Sequence, residues 1–149
     1  QNVGTYLDMP RFLDSTQPLA NAADGEFYIA RLEALPAALD GELERIRAAR
    51  GMGLVPPGFL LDKAIAAMEA TIKDARAGEG GGGSLVAPLS REAAKIGAGF
   101  APRGRALVTG PVLAAFERQL AELKAERAVA KDAPGMWAQP RGDEWYAWS

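Results

Sequence analysis

The sequence predicts an all-α protein of about five helices, arranged as an irregular antiparallel bundle or array with an extended N-terminal arm. Apolar residues recur at steps of three and four in several stretches, as one face of a helix requires. No stretch alternates apolar and polar residues for long enough to indicate a strand, and no repeat of fixed period is visible. With 149 residues, 48% of them hydrophobic and 24% charged, the chain is long enough for one domain with one core.

Residues 1–20 are predicted to form the extended arm. Isolated apolar residues lie there among glycine, proline and polar residues, with one short helical turn expected near residues 10–13.

Residues 21–77 are predicted to form a helical hairpin region. Asn21 or Asp24 is the expected N-cap of its first helix. Pro36 falls inside an apolar stripe, so it either begins a second helix or kinks a single long one. We favour two helices, the second over about residues 36–50. The stripe consists of Leu32, Leu35, Leu39, Leu43 and Ile46.

The second half of this region begins after glycines 51 and 53 and the prolines 56 and 57, which indicate a helix end and an extended approach. A second apolar stripe then predicts a helix that ends near Ala77. It consists of Leu61, Ile65, Met68 and Ile72.

Residues 78–84 are predicted to form a flexible glycine-rich loop. Residues 80–84 read GGGGS, which is identical to a common designed linker unit, and a native loop is an equally good interpretation. The loop is a poor candidate for phosphate binding, because no lysine follows the glycines and no strand pattern precedes them.

Residues 85–149 are predicted to form a second helical region. A short helix with Leu85, Leu89, Ala93 and Ile96 facing inward should stop at the glycines that follow. The longest helical stretch comes next, with Phe116 and Leu120 expected in the core, and Gly110 and Pro111 should break or kink it. Asp143 is the expected N-cap of a last helix that begins at Glu144.

Two absences limit the chemistry. The chain has no cysteine and no histidine, which excludes thiolate catalysis, the usual zinc ligands and the Ser-His-Asp arrangement within it. We therefore expect no catalytic residue, no metal site and no cofactor in this chain. The net charge of −2 gives no reason to expect nucleic acid, and no apolar run is long enough to span a membrane.

Asp62 and Glu69 are weak carboxylate candidates, because seven residues apart they share one face of a helix and could serve acid/base chemistry. The favoured interpretation is the solvated edge of an amphipathic helix. Two groups of basic residues, Lys124, Arg127 and Lys131, and Arg103 with Arg105, are likewise interpreted as structural rather than as phosphate sites.

The aromatic residues near the end of the chain raise the question of a partner. They either fold back onto the core or contact another polypeptide, and the sequence alone leaves both alternatives open. This candidate interface consists of Trp137, Trp145, Tyr146 and Trp148.

Several stretches together resemble the bacterial family catalogued as domain of unknown function 885. They are "YLDMPRFLDSTQPL", "ADGEFYIARLEAL", "LPAALDGELERIRAARGMGLVPPGFLLDKAI" and "MWAQPRGDEWYA", in the family's order along nearly the whole chain. The chain departs from the family at Gln17 and at "AKDAPGMW", where members often carry a histidine, and the "GEGGGGS" loop has no counterpart.

The resemblance implies a mostly helical, zinc-metallopeptidase-like protein whose His-Glu-x-x-His helix follows the "GDEWYA"-like stretch. In such a site two histidines bind zinc and the glutamate acts as general base. We therefore expect the chain to be an upstream helical segment that lacks the catalytic half, with zinc confined to the parent protein. A periplasmic or secreted location is in keeping with the resemblance.

The expected function is to form part of the wall of the substrate cleft and to pack against the zinc-bearing half. The expected partner is the remainder of the parent polypeptide or another copy of the chain. The alternative is a stand-alone helical module that recruits a protein partner. A third, weaker hypothesis is an enzyme that uses Asp62 and Glu69.

Overall fold

The structure, a computed structural model, describes residues 19–131. Within this range the chain forms helices joined by short turns and contains no strand, which confirms the all-α prediction. The predicted arm falls outside these residues apart from its last two. The helices are α1 (Ala22–Gly51), α2 (Gly58–Arg76), α3 (Gly83–Arg91), α4 (Ala93–Ile96), α5 (Phe100–Leu107) and, after a π-helical turn (Val108–Val112), α6 (Leu113–Val129).

Helix α1 begins where the sequence predicts. The Asn21 side chain accepts a hydrogen bond from the Asp24 backbone N–H at 3.1 Å, and the Asp24 carboxylate accepts one from the Ala20 N–H at 2.8 Å. The first bond satisfies one of the backbone donors that a helix start leaves free, and the second joins the residue before the N-cap to the first turn. At the other end the chain turns at Gly53, whose φ of 76° suits glycine.

The prediction of two helices separated at Pro36 is wrong, because α1 is a single helix of 30 residues that contains Pro36. A proline cannot donate to the carbonyl four residues earlier, which costs a helix interior about 3 kcal/mol. The apolar stripe continues on the same face beyond Pro36. Burial of its leucines at about 2 kcal/mol each offsets the lost bond and keeps the two halves in line. Those leucines, 2% exposed or less, are Leu32, Leu35, Leu39 and Leu43.

One core joins the helices. Helix α6 packs against α1 and α2, while α5 packs against α1 and α3. The Tyr28 hydroxyl donates a 2.7 Å hydrogen bond to the Leu85 carbonyl and so attaches α1 to the start of α3. Phe116 is fully buried, as predicted, whereas Leu120 lies half-buried at the rim of the core.

The stretch around Gly110 and Pro111 is not broken. It widens into a π-helical turn, so the helical backbone runs without interruption from Phe100 to Val129. Val108 and Val112, at the two ends of the turn, are fully buried. A π turn changes the hydrogen-bonding pattern around Pro111, which has no N–H to donate, and it leaves both valines in the core.

The glycine-rich loop closes onto the end of α2. Gly82 N–H donates to the Ala75 carbonyl at 2.8 Å, and Gly83 N–H donates to the Ala77 carbonyl at 3.1 Å. The Asp74 carboxylate then accepts hydrogen bonds from the Ser84 N–H at 3.1 Å and hydroxyl at 2.6 Å, and so caps the start of α3. Helix α3 therefore begins inside the predicted loop, whose flexibility stays a prediction.

Within the described residues, no helix is both long and apolar enough to cross a membrane.

Candidate functional site

A row of polar side chains is buried on one face of α6. Gln119, Glu122 and Glu126 are 2%, 4% and 4% exposed, and their spacing of three and four places them on the side that meets α1. The Gln119 amide donates a 3.0 Å hydrogen bond to the Leu39 carbonyl. Buried polar groups are costly unless they are paired, so this row marks the part of the interior with specific chemistry.

Glu122 is held by two arginines from the last turns of α1. Arg50 donates from Nε to one carboxylate oxygen at 2.6 Å and from its terminal nitrogen to the other at 3.2 Å. Arg47 Nε lies 3.6 Å from the same carboxylate. The hydrogen bond to Glu122 raises the pKa of Arg50 above its usual value. The end of α1 is thus fastened to the middle of α6.

Glu126 lies one turn further along α6. Burial, and to a smaller extent the negative charge of Glu122, raise its pKa to about 7, while Arg50 opposes both. In the part of the chain that the structure describes, Arg50 acts on Glu126 through its charge and donates its hydrogen bonds to Glu122, so Glu126 is the less compensated carboxyl of the row.

Four exposed apolar side chains lie at the same end of the bundle. The Gly58 N–H donates to the Lys131 carbonyl at 3.1 Å, which places the start of α2 beside the end of α6. The turn from α1 to α2 leads into this contact. We call these side chains the apolar end: Met52, Leu54, Phe59 and Val129, which are 66%, 46%, 47% and 60% exposed.

The structure does not bring Asp62 and Glu69 together as a site. Both are exposed on α2, and each pairs with a different basic residue of α6. Arg127 Nε lies 2.8 Å from the Asp62 carboxylate, and Lys124 Nζ lies 3.6 Å from that of Glu69. No group of three or more acidic side chains in the described part of the chain could hold a metal ion. These pairs connect α2 to α6.

The basic residues near the start of α5 also have structural partners. Arg103 forms a two-pronged ion pair with Glu26 at 2.8 and 3.1 Å and lies over the Phe100 ring, 5.3 Å from its centre. Its hydrogen bond lowers the pKa of Glu26. Arg105 Nε donates to the Gly81 carbonyl at 3.3 Å.

The predicted aromatic interface lies outside the described residues and stays a prediction, as does the helix expected at Glu144. It consists of Trp137, Trp145, Tyr146 and Trp148.

Sequence reasoning missed the buried row of α6. One signal was available, because Gln119, three residues after Phe116, continues the buried face, and Glu122 and Glu126 follow it at helical spacing. Polar residues at such positions indicate a buried polar contact when a partner is present.

The chain matches a known protein family. The model of a family described as "Bacterial protein of unknown function (DUF885)" matches residues 1–149. No curated protein and no solved structure matches the chain. The chain belongs to the DUF885 family.

Proposed function

We propose that this member of the DUF885 family is a non-catalytic helical framework that packs, through its apolar end, against another part of its parent protein. In this proposal the other part carries the zinc site of a metallopeptidase-like protein, and the chain forms one wall of the substrate cleft. The observation that carries the proposal is the gathering of four exposed apolar side chains at one end of the bundle.

Scattered apolar side chains are normal on a protein surface, whereas several at one end of a bundle favour a contact surface there. The apolar end is contributed by three elements, the turn after α1, the first turn of α2 and the last turn of α6. Covering a side chain of this size contributes about 1.5–3 kcal/mol when burial is complete. A packing partner therefore gains most by covering all of them at once.

The apolar end stands on a rigid base. The Arg50–Glu122 pair holds α1 to α6, and the Arg127–Asp62 pair holds α6 to α2. A surface that is already ordered loses little conformational entropy when a partner binds, which favours association.

The sequence supports a non-catalytic role for this chain. It supplies no histidine or cysteine, and both carboxylates singled out from the sequence are engaged with α6. The chemistry of the proposed zinc site would then belong wholly to the remainder of the parent protein.

The chain alone is expected to bind no stoichiometric zinc and to hydrolyse no peptide, because it lacks the ligands for such a site. The measurement is the metal content after dialysis against zinc, together with a peptidase assay on a mixed peptide library. Glu69→Gln is the matched variant. One zinc per chain, or hydrolysis that Glu69→Gln abolishes, would contradict the proposal.

A stand-alone module that recruits a protein partner through the same apolar end is the second candidate. The apolar end favours it equally, because the surface alone does not say whether its partner is in the same polypeptide. The gene sequence beyond the codon for Ser149 discriminates between the two: a His-Glu-x-x-His helix supports the framework, and a stop codon supports the module.

A further inference from the structure

Helix α6 buries two carboxylates next to each other, which hydrophobic packing alone does not require. Glu122 and Glu126 are four residues apart on one helix face, about 6 Å along the helix axis, and each is 4% exposed. Arg50 donates two hydrogen bonds to Glu122, and Arg47 also lies close to Glu122 rather than to Glu126.

This arrangement has consequences that follow from charge alone. A buried carboxylate without a partner is strongly destabilised, and a second carboxylate one turn away adds repulsion. Glu122 forms direct hydrogen bonds with Arg50, whereas Glu126 does not. Glu126 relieves both costs by holding a proton.

We propose that Glu126 is a proton-controlled latch on the contact between the end of α1 and α6. When Glu126 is protonated, Glu122 keeps Arg50 to itself and the end of α1 stays fastened. When Glu126 loses its proton, a second negative charge is buried beside Glu122. Separation of the last turn of α1 from α6 lets water reach that charge, so the turn opens more readily. The inference concerns the fold and does not depend on the proposed function.

The charged groups around Glu126 are few. Helix α1 brings Arg47 and Arg50, both directed at Glu122. Helix α2 brings Asp62 and Glu69, which are neutralised by Arg127 and Lys124 of α6 on the exposed side of the contact. Within the described residues, Arg47 and Arg50 therefore balance Glu122, and Arg50 is the cation that acts on Glu126.

The raised pKa of Glu126 is in keeping with the latch. Burial raises the pKa of Glu126 from 4.5 to about 7. A carboxyl with a raised folded-state pKa binds its proton more tightly in the folded protein than in the unfolded one. The free-energy cost of ionising it in the folded protein is absent below pH 4.5. That cost grows as the pH rises and is complete above about pH 7.

The test compares the wild type with Glu126→Gln, which keeps the shape of a protonated glutamate and cannot ionise. Urea unfolding gives the folding equilibrium constant of each protein at about pH 5 and about pH 8. The wild-type constant should fall, relative to that of Glu126→Gln, on the order of 100-fold between the two pH values. Each protein is compared with itself at the two pH values, so the cost of burying the amide in Glu126→Gln cancels.

Glu117→Gln is the matched control, because Glu117 is on the same helix and is about half exposed. It should follow the wild-type pH dependence. An equal pH dependence in wild type and Glu126→Gln would overturn the proposal.

Two measurements on the wild-type protein test the latch and do not depend on whether the variant folds. Side-chain carboxyl NMR should show one glutamate that titrates near pH 7. Amide hydrogen exchange, corrected for its intrinsic pH dependence, should accelerate at about pH 8 in residues 46–54 more than in residues 22–30. A Glu126 that titrates near 4.5, or exchange that does not differ between the two segments, would also overturn it.

Discussion

Gly83 illustrates what a single residue contributes to this fold. Its φ of 53° is in the left-handed region, and a Cβ placed there would lie 1.9 Å from the Asp74 carbonyl oxygen. The sequence shows only a run of glycines, which is equally typical of a flexible linker and of a tight turn. The deciding atom belongs to α2, nine residues away, so composition alone could not distinguish the two.

Gly83→Ala should therefore lower the free energy of unfolding by roughly 2–3 kcal/mol, because the backbone must shift to relieve the contact. Chemical denaturation measures the change. Gly41→Ala is the control, since a Cβ at Gly41 meets nothing within 4 Å and the site lies inside α1. It should raise stability by about 0.5–1 kcal/mol. A fold that tolerates both changes equally would show that the loop adapts.

The buried acids were not foreseen at the residue scale for a similar reason. The sequence places Glu122 and Glu126 among lysine and arginine, where exposure is the ordinary expectation. Their burial depends on Arg50, 72 residues earlier, reaching across from α1. A partner at such a separation in the chain leaves no local pattern.

At the scale of the element, local rules and tertiary packing disagree at Pro36. Its missing N–H predicts a helix boundary, and the continuous leucine stripe overrides it. At Pro111 the same conflict has a different outcome, because the backbone widens into a π turn that keeps Val108 and Val112 buried. The apolar period predicted most of the buried positions correctly, whereas the proline rule predicted a helix boundary at Pro36 where the helix continues.

Pro36→Ala should leave the helical content unchanged and stabilise the protein. The regained hydrogen bond outweighs the greater freedom of the unfolded chain, which leaves a net gain of about 1–2 kcal/mol. Far-UV circular dichroism and urea unfolding provide the measurements. A variant that is less stable, or that unfolds in two steps, would mean that Pro36 separates two independent units.

At the scale of the whole molecule, the sequence predicted the all-α class and the membership of the family, both of which are confirmed. Periodicity and a composition with an adequate apolar fraction are enough for the first. The apolar end was not predicted, because Met52, Leu54, Phe59 and Val129 belong to different stretches. The packing of α6 on α1 and α2, together with the bond between Gly58 and Lys131, brings these stretches together.

The apolar end should be covered by another part of the parent protein, and the oxidation rate of Met52 measures whether it is. Met52 is 66% exposed and Met68 is fully buried, so peroxide followed by peptide mass spectrometry reports the surface with an internal control. In the 149-residue chain Met52 should oxidise much faster than Met68. In the full-length product of the gene Met52 should be protected nearly as well as Met68. Equal oxidation of Met52 in the chain and in the full-length product would contradict the proposal.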